Sequence, residues 1–481
     1  MNYRLDEIFF GMSDGKKEAL IRPNFQDYYY EYENIVQKAL IPSNFLVLGK
    51  KGTGKSLLGE YLVKITQPTE GVSDIISFKE FRFHKIRELK SEDVAPNEYI
   101  VIWTWIILIE FAKLTLKNKY LEGDRVFKRL KQFIENGYNS LLLTSLSDND
   151  ERLLANVNGK YFCDLQEKEE TGKYYNFIDD LERCIEKLLI INPKYRYLLI
   201  LDELDDRFVN DEVYKNGIIS LIKAAERLNS RFARKSFNSK ILILLRTDIF
   251  VLINDTDLNK IKRDSSISID WGRITKFDSP LFDIVVKKIR VSIPTLANST
   301  RDQVIKQFFP EHSIKSYINQ EHISTARYLL ERTFFRPRDL ITYLNIIKNN
   351  QPDAQFFSAK SIQLAEKEYS EYLLDEIRNE IKGHADDNSI DEIFKLLKHL
   401  TMFYFSFDEI KAFEEQKRYL HTIGLKDALD LLFKFSIIGN TWTHYLSGKR
   451  YYSHKARDER AEIDFDKTFV LHLGLRKAFQ L

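Results

Sequence analysis

Residues 45–56 read FLVLGKKGTGKS, and this stretch decides the fold. Four apolar residues, Phe45 to Leu48, run straight into the spacing G-x-x-x-x-G-K-S. A buried strand that breaks into a glycine-rich loop and then a helix is the pattern of a phosphate cradle, because main-chain N–H groups can turn inward only where side chains leave room. Gly49, Gly52 and Gly54 leave that room, Lys55 adds a mobile cation for the outer phosphates, and Ser56 offers a hydroxyl to Mg²⁺. Leu57, Leu58, Tyr61, Leu62 and Ile65 recur at helical spacing until Pro68, so a helix is expected after the loop. The expected phosphate-binding residues are Gly49, Lys50, Lys51, Gly52, Thr53, Gly54, Lys55, Ser56 and Leu57.

A cradle of this kind needs carboxylates opposite it. Tyr197 to Leu201, YLLIL, reads as a buried strand that delivers Asp202-Glu203-Leu204-Asp205-Asp206 at its C-terminal edge. At the end of a strand beside the cradle, Asp202 suits the Mg²⁺ shell and Glu203 suits polarisation of an attacking water. Lys240 to Leu245, KILILL, makes another buried strand, ending in Arg246-Thr247-Asp248. Thr247 or Arg246 is the candidate sensor of a γ-phosphate; a strand must also end in something polar, so both readings stay open. The Asp-Glu pair points to hydrolysis of ATP rather than transfer to a small molecule. No D-x-x-G follows the second strand, as a GTPase would require.

Strands and helices alternate from residue 45 to 290, which predicts an α/β fold: a P-loop NTPase parallel sheet flanked by helices. The expected domains are 1–290, with an insertion over about 71–192, then a helical lid at 291–385 and a winged-helix-like domain at 386–481. Before the cradle, Phe25 to Leu40 reads as helical, and Phe9-Phe10-Gly11 is either an adenine contact or an arm packed on the core. The insertion holds an expected strand near Ile76 to Phe83, a helix after Pro96 and a polar stretch from Ser145 to Gly172. In the lid, Phe334-Phe335-Arg336-Pro337-Arg338-Asp339-Leu340 starts an apolar helix face, with Arg338 in its first turn. From there Arg338 could reach phosphates, or bond a neighbouring carboxylate. After Gly383, three helices and a hairpin over Ser447-Gly448 give the order of a winged helix. Its Lys449, Arg450, Lys455, Arg457 and Arg460 interleave with Tyr445, Tyr451 and Tyr452. Nearby Asp458, Glu459, Glu462, Asp464 and Asp466 oppose phosphate, so a DNA contact and a protein contact both remain open.

Composition narrows the rest. The 481 residues are 44% hydrophobic and 30% charged, which is the balance of a globular protein. Seventy-three basic against 71 acidic residues leave a formal charge of +2, so nucleic-acid binding would have to come from a local patch. Cys163 and Cys184, with no apolar leader, argue for a reducing cytoplasm, and Cys184 falls on an apolar helix face. Tyr99 to Leu116 is greasy but interrupted by Thr104, Glu110 and Lys113, so it reads as a buried helix and no membrane contact is expected. The histidines and cysteines show no metal-ligand spacing.

GKKGTGKS, LLILDELDD, LLRTDIF and RPRDLI followed by EKEYSEYLLDEIRNE resemble the bacterial P-loop ATPases related to the STAND and origin-recognition branches of the AAA+ group, many of them encoded in anti-phage defence loci. The resemblance covers about residues 5–383, and the ending FVLHLGLRKAF is similar too. It implies ATP and Mg²⁺ as cofactors, Lys55 and Ser56 on the phosphates and metal, Asp202 on the metal, Glu203 on the water, and Arg338 as a second sensor. It also implies a regulatory ATPase working with an effector or sensor protein encoded nearby. A homo-oligomer and a DNA contact through the winged helix are the further partners it leaves open. Arg263 and Arg273 stand where an arginine finger is expected, but neither matches a motif.

Overall fold

Three apolar runs and two more mixed segments become the strands of one parallel sheet. The computed structural model describes residues 3–67, 69–79, 98–135, 157–160, 169–172, 178–204, 208, 210–253, 255, 257–311, 313–316, 321–446 and 448–481. Expectations that fall on Pro68, Phe83, Cys163, Asp205, Asp206, Ser447 and most of the 145–172 stretch lie outside these residues. The chain divides into two compact units, one of Glu31–Lys50 with Gly54–Ile269, the other of Met1–Tyr30, Lys51–Thr53 and Asp270–Leu481.

The first of these holds the sheet. Its strands are β1 (Leu46–Gly49), β2 (Gly71–Ser77), β5 (Arg196–Asp202), β6 (Ser239–Arg246) and β7 (Ser266–Ile269); β3 (Val157–Lys160) and β4 (Glu169–Gly172) form a separate antiparallel pair. The order is β2-β5-β6-β1-β7, with every pairing parallel. A strand covered by helices on both faces has no polar side, which is why Tyr197 to Leu201 and Ile241 to Leu245 are continuous apolar runs. The fold is thus a P-loop NTPase sheet flanked by helices.

One expectation about this sheet is corrected. Asp202 was expected on the strand beside the cradle, but β6 lies between β5 and β1. Order along the chain does not fix place in a parallel sheet, because a crossover can skip a strand. Two boundaries also move. Phe25 to Leu40 is two short helices, Phe25–Tyr28 and Ile35–Leu40, broken where Glu33 and Asn34 take left-handed φ of 51° and 57°. The strand expected from Ile76 runs instead from Gly71 to Ser77.

The helix Glu98–Thr115 is a buried core element, with Trp103, Trp105 and Phe111 at most 1% exposed. Phe111 stacks on Phe232 of the helix Glu212–Arg234 at 4.9 Å between centroids. Burial pushes the Glu110 carboxyl up, against the pull of Lys113. Among the described residues no helix is long and apolar enough to cross a membrane. Cys184 is buried as expected.

In the other unit, the helices Pro280–Ser292, Arg301–Phe308, Thr325–Leu330, Pro337–Asn350 and Ala359–Ile381, most of them in the span expected to form the lid, enclose paired buried charges. Arg332 meets Glu366 at 3.0 Å, and Arg336 meets Asp339 at 2.9 Å and also Glu380. A hairpin, β8 (Ser313–Lys315) with β9 (His322–Ser324), interrupts what was expected to be wholly helical. The N-terminal arm packs here. Phe10 is fully buried against Phe357, and the Asn345 amide donates to the Gly11 carbonyl at 3.0 Å. Of the two readings for Phe9-Phe10-Gly11, the packed arm is the one observed.

Beyond Gly383, whose φ of 86° ends the long lid helix, come the helices Asp387–Leu400, Phe407–Lys417 and Leu425–Lys434. They accompany an antiparallel sheet of β10 (Tyr404–Phe405), β11 (Ile438–Thr443), β12 (Arg450–Ser453) and β13 (Thr468–Leu471), ordered β10-β13-β11-β12. The β11–β12 hairpin was expected; β10 and β13 were not.

The helix that follows the cradle, Lys55–Ile65, lies close on the sheet at Gly59. A Cβ there would sit 2.9 Å from Ile75 Cδ1 and 3.2 Å from Leu244 Cδ1. Gly59→Val should therefore destabilise the protein by about 1–3 kcal/mol, read as a lower urea midpoint. An unchanged midpoint would show that the contact has slack.

Candidate functional site

The cradle is built by backbone conformation. β1 ends at Gly49, and Gly52 and Gly54 then take left-handed φ of 81° and 98°, which residues with a Cβ adopt only under strain. Gly54 is the N-cap of the helix Lys55–Ile65, so no side chain caps its first turn. The opening N–H groups of such a helix lack intrahelical acceptors and sit at its positive end, which suits an anion. The Lys55 ammonium folds back over the loop, donating to the carbonyls of Gly49 at 2.8 Å and Lys50 at 3.1 Å. Ser56 and Leu57 occupy the first turn behind it. The residues present fit a phosphate chain.

Strand register lines up the remaining candidates along the C-terminal edge of the sheet. Gly49 is opposite Arg246 on β6 and Ile269 on β7, and Asp202 is opposite Ser77 on β2. Leu201 is level with Ile243 on β6 and so with Leu46 on β1, which puts Asp202 level with Val47, two residues short of Gly49. With strands about 4.8 Å apart and about 3.3 Å per residue, the Asp202 backbone stands about 12 Å from that of Gly49. That span is the size of a hydrated metal and a phosphate. Asp202 is buried, 3% exposed, at the end of β5. Among the described residues no group of three His, Cys, Asp or Glu side chains could hold a metal, so a Mg²⁺ at Asp202 and Ser56 would need phosphate oxygens to complete its shell.

Glu203 turns away from the strand with φ 59°, a left-handed conformation unusual for a residue with a side chain. Its carboxylate accepts a hydrogen bond from the Ser77 hydroxyl at the end of β2. Sequence reasoning missed Ser77, since a lone serine at a strand end carries no signal until the register is known. The two sensor candidates differ. Arg246 is buried and donates from Nε to Asp248 at 3.0 Å, with a second bond from its terminal nitrogen. Thr247 is partly exposed at the start of a short helix, Thr247–Leu252, one residue past the register position of Gly49.

Lys51–Thr53, the middle of the loop, belong to the same compact unit as the lid. The Arg338 main-chain N–H donates to the Gly52 carbonyl at 3.3 Å. Trp271 Nε1 donates to the Thr53 carbonyl at 3.0 Å, another contact that sequence did not reveal. Arg338 does meet a carboxylate: its Nη1 lies 3.1 Å from Glu376 Oε2, and Lys51 Nζ lies 3.4 Å from the same oxygen. Burial alone would raise the Glu376 carboxyl; Lys51, and after it Arg338, outweigh burial and hold it below its ordinary 4.5. Arg263 pairs with Asp264 and Arg273 with Asp270, so neither gains a distinguishing role.

Comparison with known proteins adds one local match. Residues 279–378, about a fifth of the chain, match a family described as the FunZ-associated C-terminal helical domain. Among solved structures, a Walker-type ATPase of Pyrococcus abyssi aligns over 89% of this chain and 95% of its own, at 12% identity and a TM-score of 0.38. No curated protein matches the sequence.

The Glu376 pairing makes stability depend on acid. Its folded carboxyl binds protons less readily than the unfolded one, so the pairing stabilises above about pH 4.5 and is lost as pH falls through the lower folded value. Glu376→Gln should flatten the acid limb of a stability–pH profile measured by urea unfolding. An acid limb of unchanged slope would contradict the pairing.

Proposed function

We propose that the protein is an ATP-binding molecular switch that hydrolyses ATP slowly or with the help of a partner. The observation that carries this reading is the left-handed Gly52–Gly54 turn feeding an uncapped helix start beside Lys55. Bound Mg·ATP would supply a terminal phosphoryl group open to attack by water. The loop N–H groups and Lys55 hold the phosphates. Ser56 and Asp202 hold the metal, and Thr247 flanks the terminal phosphate. Glu203 takes a proton from the attacking water, and Ser77 fixes the direction of that carboxylate. Arg338, bonded through its backbone to Gly52, is the second-sensor candidate. A switch of this kind needs ATP to bind its two states with different affinity.

In this reading the chain is the regulatory ATPase of a bacterial anti-phage defence system, related to the AAA+ and STAND groups and acting in the cytoplasm with an effector or sensor protein. The sequence resemblance supports it, as does the FunZ-associated match across the lid. The expected domains are the ATPase, the lid and a C-terminal winged helix. A homo-oligomer is compatible with the same chemistry. A nucleotide-binding scaffold with little hydrolysis is the low-turnover limit of this proposal.

A second reading, a DNA-binding loader or remodeller, is favoured by one observation. On the β11–β12 hairpin Trp442 and Tyr451 stack with centroids 5.9 Å apart, both more than a third exposed, with Lys467 and Lys449 over their rings. Such a surface accepts bases or phosphates. Against it, the preceding helix Leu425–Lys434 balances Lys426 and Lys434 with Asp427 and Asp430, a poor reader of a phosphate-lined groove.

Two measurements separate these readings. Glu203→Gln should bind ATP normally and turn it over about tenfold slower or more; unchanged turnover would remove Glu203 as the base. Replacing Lys449 and Arg450 by Ala should weaken DNA binding and flatten its salt dependence if the hairpin reads DNA. Absence of DNA affinity in the wild type at low salt leaves only the first reading.

A further inference from the structure

Glu376 lies on the helix Ala359–Ile381, and a single oxygen of its carboxylate faces both Lys51 of the cradle and Arg338 of the preceding helix Pro337–Asn350. All three side chains are three-quarters buried or close to it, at 25%, 24% and 21% exposure for Lys51, Arg338 and Glu376. The arrangement is tight. The Arg338 backbone bonds the Gly52 carbonyl, and a Cβ on Gly52 would stand 3.1 Å from Arg338 Cβ. Among the described residues, Lys51 and Arg338 share this one carboxylate. The pairing is charge-assisted and partly desolvated, so giving it up has a real cost, and whatever replaces Glu376 must be an oxyanion able to meet a guanidinium and an ammonium together.

We propose that Glu376 is a specificity-determining positioning residue that competes with a terminal phosphate for Arg338 and Lys51, setting how strongly the site prefers a nucleoside triphosphate over a diphosphate. This inference rests on the nucleotide reading above. A γ-phosphate brings the equatorial oxyanions that can take over both cations, whereas a diphosphate ends one group short and leaves them with Glu376. The lid contact is then exchanged from a carboxylate to a phosphate when triphosphate binds, and returns when the terminal group is lost. A purely structural ion pair would have no such dependence on the third phosphate.

The test is calorimetric titration of the full chain, with Mg²⁺, using ADP and ATP carrying a β,γ-imido linkage. Glu376→Gln keeps the shape and removes the charge; it should bind the triphosphate analogue about tenfold more tightly and ADP within about twofold of wild type. Glu376→Asp, which keeps the charge, should restore the wild-type ratio. In a Lys51→Met/Arg338→Ala background, Glu376→Gln should change neither affinity. Weaker or unchanged triphosphate binding in Glu376→Gln, or equal tightening of both nucleotides, overturns the inference while leaving nucleotide binding intact. Failure of the wild type to bind either nucleotide overturns both.

Discussion

The left-handed turn at Gly52 and Gly54 is the constraint on which the rest of the site depends. A β-carbon at either position would strain the loop by about 1–2 kcal/mol. Because the turn forms, the helix Lys55–Ile65 begins without a side-chain cap and presents its N–H groups, and Lys55 can fold back over Gly49 and Lys50. The sheet then sets distances. β6 inserted between β1 and β5 keeps Asp202 two strands from the cradle, a span that under the proposed function would take a phosphate and its metal.

Charged and polar groups in each unit are held by partners within the chain. Arg246 is tied to Asp248, Arg273 to Asp270, Glu203 to Ser77, and Lys51 with Arg338 to Glu376. A ligand that took one of these groups would exchange partners with an ordered side chain. That lowers the entropy lost on binding but adds the cost of each pairing given up, so small changes in one carboxylate can alter which ligand wins. Arg336 shows the contrast within the same motif. Two residues before Arg338, it is buried against Asp339 and Glu380 and serves the lid's interior.

Much of this was legible in the sequence, for physical reasons. The strands β1, β5 and β6 are apolar on both faces, and the glycines of the cradle sit at positions where only glycine is comfortable, so residue type alone marked them. The helix Pro337–Asn350 announced itself by its first-turn proline. What stayed hidden depends on long-range register. Ser77, Trp271 and Glu376 are unremarkable in sequence and gain meaning from Glu203, Thr53, and the Lys51 and Arg338 pair, which lie far away along the chain. Glu33 and Asn34 broke an expected helix because their left-handed backbone leaves no trace in hydrophobic spacing. Place within the sheet was misjudged for β5 because crossovers are invisible in a linear pattern.

The central claim is that the Gly49–Ser56 loop binds the phosphates of ATP through its backbone and Lys55. The most direct measurement is a calorimetric titration of Mg·ATP into the wild type and into Lys55→Ala. The account predicts saturable one-site binding by the wild type and affinity weaker by about a hundredfold in the variant, the loss of one charge-assisted contact to phosphate. Equal binding by the two proteins, or none by the wild type, would contradict it.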